Sequence, residues 1–124
     1  ANKSSDLSAQ VIEIAGISFL AAQVDGNNKA MMQTLDIVRS QLPTDAMVVL
    51  ASVDNGKVSM VAATSKSLSA NLSAARLMQT VAPLVGARGG GRPDLARAGG
   101  GDQVDAVAQA LIAAQEWVEG QVAS

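Results

Sequence analysis

Met47-Val-Val-Leu-Ala-Ser-Val-Asp-Asn-Gly-Lys-Val-Ser-Met-Val-Ala-Ala-Thr64 sets the fold class of this 124-residue chain. Its first seven residues form an apolar run broken only by Ser52, the pattern of a central strand covered on both faces. Asp54-Asn-Gly-Lys57 follows. An Asn-Gly pair between two such runs is the strongest short-range hairpin signal. Val58–Thr64 then returns as the antiparallel partner.

Working outward, Val11–Gly16 alternates as a strand and Ile17–Val24 reads as a second, with Gly16 allowing a bend between them. Asp25-Gly-Asn-Asn28 is turn chemistry, and Asn27 or Asn28 can cap a helix running to about Leu42. Met31, Leu35, Val38 and Leu42 make its apolar stripe, and Pro43 stops it. Downstream of the hairpin, a helix is predicted from about Ala70 to Val85, burying Leu72, Ala75, Met78, Ala82 and Val85. Pro83 loosens its last turn, because it lacks an N–H and its ring clashes with the carbonyl of Gln79. A last helix begins with Asp102 as N-cap and buries Val104, Val107, Leu111, Ala114 and Val118, with Trp117 beside that stripe. The expected architecture is one α/β (α+β) domain over residues 1–124, with residues 1–9 a frayed lead-in. It has a small mixed sheet of about four strands, three packing helices and a glycine-rich loop before the last helix.

That glycine-rich stretch is Gly86-Ala-Arg-Gly-Gly-Gly-Arg-Pro-Asp-Leu-Ala-Arg-Ala-Gly-Gly-Gly101. It holds seven of the eleven glycines, and glycine has no side chain to bury and loses the most backbone entropy on ordering. Arg88, Arg92 and Arg97 supply charged planar forks suited to phosphate. The residues therefore read as an anion-cradling loop between two helices. N–H groups of Gly89, Gly90 and Gly91 meet phosphates, and Arg88, Arg92, Arg97 and Lys66 supply charge. Pro93 and Asp94 structure the loop, Asp94 by bonding its backbone or orienting Arg92 or Arg97. The plain alternative is a surface loop with solvated arginines, although long unstructured loops inside compact domains are uncommon without a function.

Net charge is −2, but its distribution is uneven. From Lys57 to Arg97 there are six basic residues and one acid, Asp94, a net +5 against −7 for the remainder. An acidic body with one basic segment focuses positive potential in one place. Only Phe19 and Trp117 are aromatic, which argues against base-stacking modules. With no histidine and no cysteine, a serine triad, thiolate chemistry and the commonest zinc ligands are excluded within the chain. The glycine spacing of a P-loop is present at Gly86 and Gly91. However, Arg92 and Pro93 stand where lysine and a hydroxyl are needed, and the stretch follows a helix. Asp102, Asp105, Glu116 and Glu119 read as helix-terminal or solvated acids, and Met31, Met32, Met47, Met60 and Met78 as core fillers. No metal or cofactor is expected here. No apolar run reaches the ~20 residues that span a bilayer, and no targeting signal is evident, which points to the cytoplasm and to no membrane partner.

Gly89-Gly-Gly-Arg-Pro-Asp94, the glycine run Gly99–Gly101 and Trp117 near the end of a final helix resemble the glycine-rich signature of the C-terminal domain of alanyl-tRNA synthetases, in the DHH-associated superfamily. The order of elements before the signature is similar too, so the resemblance covers nearly the whole chain, Pro83 being the departure. The C-terminal domain of DHH phosphoesterases is the competitor. It typically carries Gly-Gly-His, and Arg92 stands where that histidine would be. The resemblance implies a non-catalytic tRNA-binding module, with Gly99 and Gly100 joining the RNA-contacting residues. Its parent would be an alanine–tRNA ligase that uses ATP, magnesium and zinc elsewhere in its chain. It implies tRNA(Ala) as partner, held at its outer corner to help charging and editing, with weak DNA binding as a further expectation. Dimerisation through an upstream helical part is a family trait, and the globular part alone is expected to be monomeric. Two other readings remain, an accessory domain of a DHH-type phosphoesterase and a protein-interaction or dimerisation domain.

Overall fold

The computed structural model describes residues 12–14, 17–24, 28–41, 46–54, 56–65 and 72–123. The expectations for residues 1–9, Gly16, Leu42, Pro43 and Lys66 lie outside them. Strands β1 (Ile12–Ile14) and β2 (Ile17–Val24) precede helix α1 (Asn28–Gln41), and β3 (Ala46–Asp54) and β4 (Lys57–Thr64) follow. Helix α2 (Ala74–Val81) runs into a 3-10 turn, Ala82–Val85. Then come β5 (Arg88–Arg92), β6 (Leu95–Gly101), a second 3-10 turn at Val104–Ala106, and α3 (Val107–Ala123).

The strands form one mixed sheet in the order β1-β2-β3-β4-β6-β5, with β2 and β3 parallel and the other neighbours antiparallel. Strand β3 lies inside it and is buried on both sides. Met47, Val49 and Ala51 pack with α2 and α3, while Val48 and Leu50 pack with Met31, Leu35 and Val38 of α1. The β3–β4 hairpin closes on the Asp54–Lys57 pair, and Gly56 takes a φ of 75°, the left-handed conformation that such a turn needs and glycine tolerates. The four fully buried methionines, Met31, Met47, Met60 and Met78, fill these two cores, and Trp117 packs half-buried against the core beneath α2 and α3.

Three expectations change. The sheet has six strands, not about four, because the glycine-rich stretch is a β-hairpin and not a loop. Two of its glycines, Gly89 and Gly91, are needed for close approach. A Cβ on Gly89 would overlap the Arg97 carbonyl oxygen and Ala98 Cα, and one on Gly91 would lie 2.6 Å from the Leu95 carbonyl oxygen. Gly89 and Gly91 pair with Ala98 and Ala96, two small residues buried in the core that Leu77, Met78 and Val81 of α2 help to build.

The second helix starts at Ala74, not Ala70, because Ser73 is its N-cap, the Oγ accepting from the Arg76 N–H at 3.3 Å. Shortening it leaves Ala75 only partly buried, and Leu77 and Val81 join the core. Pro83 sits in the 3-10 turn, where the helical ladder has already ended.

Asp102 does not cap the last helix. The Gln103 N–H donates to the Val85 carbonyl at 3.0 Å, holding the chain against the turn after α2, so the α-helix begins only at Val107. Asp102 accepts instead from Gln103 Nε2 at 3.4 Å. As a result Val104 is exposed, Leu111 is partly buried, and Ala110 joins Val107, Ala114 and Val118 in the core.

The two kinds of hairpin glycine can be told apart by melting. Gly89→Ala is expected to lower stability by about 1–3 kcal/mol through overpacking. Gly90→Ala meets no atom within 4 Å and is expected to be neutral or to stabilise by about 0.4–1 kcal/mol through the unfolded chain. Thermal denaturation of both variants checks this.

Candidate functional site

Helices cover the sheet unequally. On one face α2 and α3 reach across the whole sheet from β1 to β5, whereas α1 covers β2, β3 and β4 and only the partly buried Leu95 beyond them. The β6–β5 hairpin therefore extends past α1 with one face open. Residues directly opposite in antiparallel strands share a face, and alternate residues change face. Arg88 is opposite Gly99, Gly90 opposite Arg97, and Arg92 opposite Leu95. All three arginines thus stand on the open face, Arg88 and Arg97 each opposite a glycine that leaves room for it, and all three are exposed.

The hairpin turn is tied down on both sides. The Pro93 carbonyl accepts from the Ala74 N–H at 2.8 Å, satisfying a donor in the first turn of α2 that has no partner within the helix. The Asp94 carbonyl accepts from the Thr64 N–H at 3.0 Å. The Asp94 side chain lies 3.7 Å from Arg92 Nε, in a pair whose arginine is 74% exposed. Solvent screening leaves such a pair worth at most about 1 kcal/mol, so it orients and partly neutralises Arg92 more than it stabilises the fold. Among the described residues Arg88 and Arg97 carry no ion pair. With Ser59, Ala98 and Gly99 they line an open cavity of about 270 Å3 that contains no acid.

Strand pairing changes the expected role of the glycines. Alternate residues of an antiparallel strand turn their N–H groups toward the partner, so β5 cannot offer the N–H groups of Gly89, Gly90 and Gly91 together. Gly100 has a φ of 75° and forms part of a bulge: Val58 pairs with Gly101 and Met60 with Ala98, so Gly99 and Gly100 stand opposite Ser59 alone. Gly90 and Gly99 are the glycines whose missing side chains leave open space on the arginine face.

Reasoning from sequence missed Ser59, and Lys57 with it. Both follow the β4 alternation opposite to buried Val58 and Met60, which puts them on the arginine side. Their parity was readable, but not that β6 would lie next to β4. The described residues contain no group of three or more His, Cys, Asp or Glu side chains that could hold a metal, and no helix among them is long and apolar enough to cross a membrane.

The DHHA1 domain family matches residues 16–120. The chain is 45% identical over 114 residues to an alanine–tRNA ligase of Hydrogenovibrio crunogenus, covering 91% of this chain and 13% of that protein. It is 42% identical over 119 residues to the Stenotrophomonas maltophilia enzyme of the same name, covering 95% and 13%. The chain thus spans about an eighth of the length of these relatives. Among solved structures, the C-Ala domain of Aquifex aeolicus alanyl-tRNA synthetase superposes with a TM-score of 0.78 at 23% identity, over 88% of this chain and 97% of that one. A DHH domain from a protein described as a member of a ribosomal protein family superposes at 0.61 and 14% identity, over 94% and 30%. At these identities the likeness is one of fold.

Because the three arginines are exposed and outside both cores, Arg88→Ala, Arg92→Ala and Arg97→Ala are each expected to change stability by less than about 0.5 kcal/mol. Urea titration measures this and separates a binding loss from unfolding.

Proposed function

Because the chain belongs to the DHHA1 domain family, we propose that it is a tRNA-binding domain of an alanine–tRNA ligase, one that positions tRNA(Ala) for aminoacylation and editing elsewhere in the enzyme. The observation that carries this reading is the gathering of Arg88, Arg92 and Arg97 on one uncovered sheet face. The names of the two bacterial relatives support it. An open face with three guanidinium groups, and without exposed Phe, Tyr or Trp beside them, suits a phosphate backbone better than base edges. Contacts of that kind orient an RNA without reading its sequence. Specificity for one tRNA would then come from the rest of the enzyme, as would the ATP, magnesium and zinc chemistry of the parent. Gly90 and Gly99 let a sugar-phosphate strand lie close to the sheet between the arginines. With few cations the affinity is modest, and a single-stranded DNA would bind weakly through the same charges.

Salt-series titrations with tRNA(Ala), an unrelated tRNA and single-stranded DNA provide the test. Both tRNAs are expected to bind with similar affinity that falls with salt. Arg97→Ala is expected to lower the salt slope by about 0.7–0.9, the contribution of one neutralised phosphate. Arg92→Ala should lose less, because Asp94 already screens that charge, and Asp94→Asn should tighten binding. Absence of binding at low salt, or affinities indifferent to all of these changes, would count against the assignment.

A further inference from the structure

Within the open face one place differs from a diffuse basic patch. The β-bulge sets Gly99 and Gly100 against Ser59 alone, which opens a notch in the sheet surface. Arg88 of β5, opposite Gly99, and Arg97, two residues from Gly99 along β6, are diagonal neighbours that line it with Ser59, Ala98 and Gly99. Two unpaired like charges lining one cavity repel each other, and an anion between them relieves that repulsion. Gly99 is not demanded by its backbone, since its φ is ordinary and an added Cβ would meet only Ser59 Oγ, at 3.9 Å. Its absent side chain keeps the notch open. Behind the notch, Ser52 is the register partner of Ser59. Ser52 is 1% exposed, and its Oγ is the one buried side-chain polar atom among the described residues without a hydrogen-bond partner. Buried hydroxyls are nearly always satisfied.

We infer that this notch is a discrete seat for one phosphodiester phosphate of a nucleic-acid backbone, gripped by Arg88 and Arg97 and anchored on the Ser59 hydroxyl. In the ligand-bound state the Ser59 side chain turns so that Ser52 Oγ–H donates to Ser59 Oγ and Ser59 O–H donates to a phosphate oxygen, which uses the hydroxyl that has no partner in the free protein. Mutual polarisation strengthens such a chain of donors. Arg92, tied to Asp94 at the turn, lies outside the seat and contacts the strand only through long-range charge. The inference rests on the reading of this face as a nucleic-acid interface, and adds which phosphate-binding groups act as a unit.

The test uses the whole 124-residue chain. Backbone amide shifts are followed in NMR titrations with inorganic phosphate, a phosphodiester dinucleotide and acetate at constant ionic strength, alongside tRNA titrations of the variants. Phosphate and the dinucleotide are each expected to move the Ser59, Ala98 and Gly99 amides saturably, and acetate is not. Gly99→Val fills the notch without backbone strain, and Ser59→Asp places a competing carboxylate in it. Each should abolish the response and weaken tRNA binding roughly tenfold, the worth of one charge-assisted hydrogen-bond group. Melting temperatures show whether either variant is misfolded, and the two act by different physics. Ser52→Ala should weaken the phosphate response without lowering the melting temperature, whereas a purely structural role would move only the latter. A notch silent to phosphate and dinucleotide, in a protein whose tRNA affinity still depends on Arg97, overturns the seat and leaves the interface standing. A response to inorganic phosphate alone overturns the phosphodiester assignment. Saturable seating of the dinucleotide in a protein that binds no tRNA supports the seat and removes the tRNA reading.

Discussion

Two backbone hydrogen bonds hold the arginine face in place, from the Ala74 N–H to the Pro93 carbonyl and from the Thr64 N–H to the Asp94 carbonyl. A two-stranded ribbon rich in glycine would be marginal by itself. Here the turn of the ribbon completes the N-terminus of one helix and continues the pairing of the strand beside it, so the hairpin cannot pivot without leaving one helix donor and one strand donor unpaired. Proline supports this arrangement by restricting φ at the turn and having no N–H to satisfy. The arginine positions follow from that anchoring, because register and alternation then decide the face on which each stands.

Helix coverage does the rest. The helices leave one region of the sheet surface, over β6 and β5 on the α1 side, without a packing layer. An apolar face there would expose a large patch to water. The chain instead alternates small residues toward α2 with arginine and glycine toward solvent, Leu95 being the residue of that face that packs with the α1 core. The same hairpin is thus a core element on one side, where glycine and alanine are required by close packing, and a charged surface on the other.

This division explains which parts were legible beforehand. Helix α1 and strands β2, β3 and β4 carry side chains whose spacing or unbroken apolar run announces them, and Met31, Leu35 and Val38 are all fully buried as their spacing predicts. The basic segment between Lys57 and Arg97 was visible in the residue types alone. The hairpin was not, because strand reading depends on alternating side-chain character, and Gly89-Gly-Gly91 has no side chains to alternate. Ala96 and Ala98 do alternate with Leu95, Arg97 and Gly99, but alanine is too small and too common in helices to mark a strand. The N-cap assignment at Asp102 failed for a related reason. Its local chemistry is that of a cap, but a single long-range bond from Gln103 to Val85 moved the start of the helix.

Sequence by itself determined the fold class, the central buried strand with its Asn-Gly hairpin, the apolar stripes that build the cores and the charge of the site. Those follow from burial and periodicity, which are local properties of a chain in water. Only the tertiary structure decided that the glycines form an edge hairpin, that three arginines share one face, and that Ser59, with Ser52 as its register partner, lines a cavity with two of them. Strand neighbours far apart in sequence are chosen by which faces the helices can cover and by how closely backbones can approach. No short window of residues contains that information.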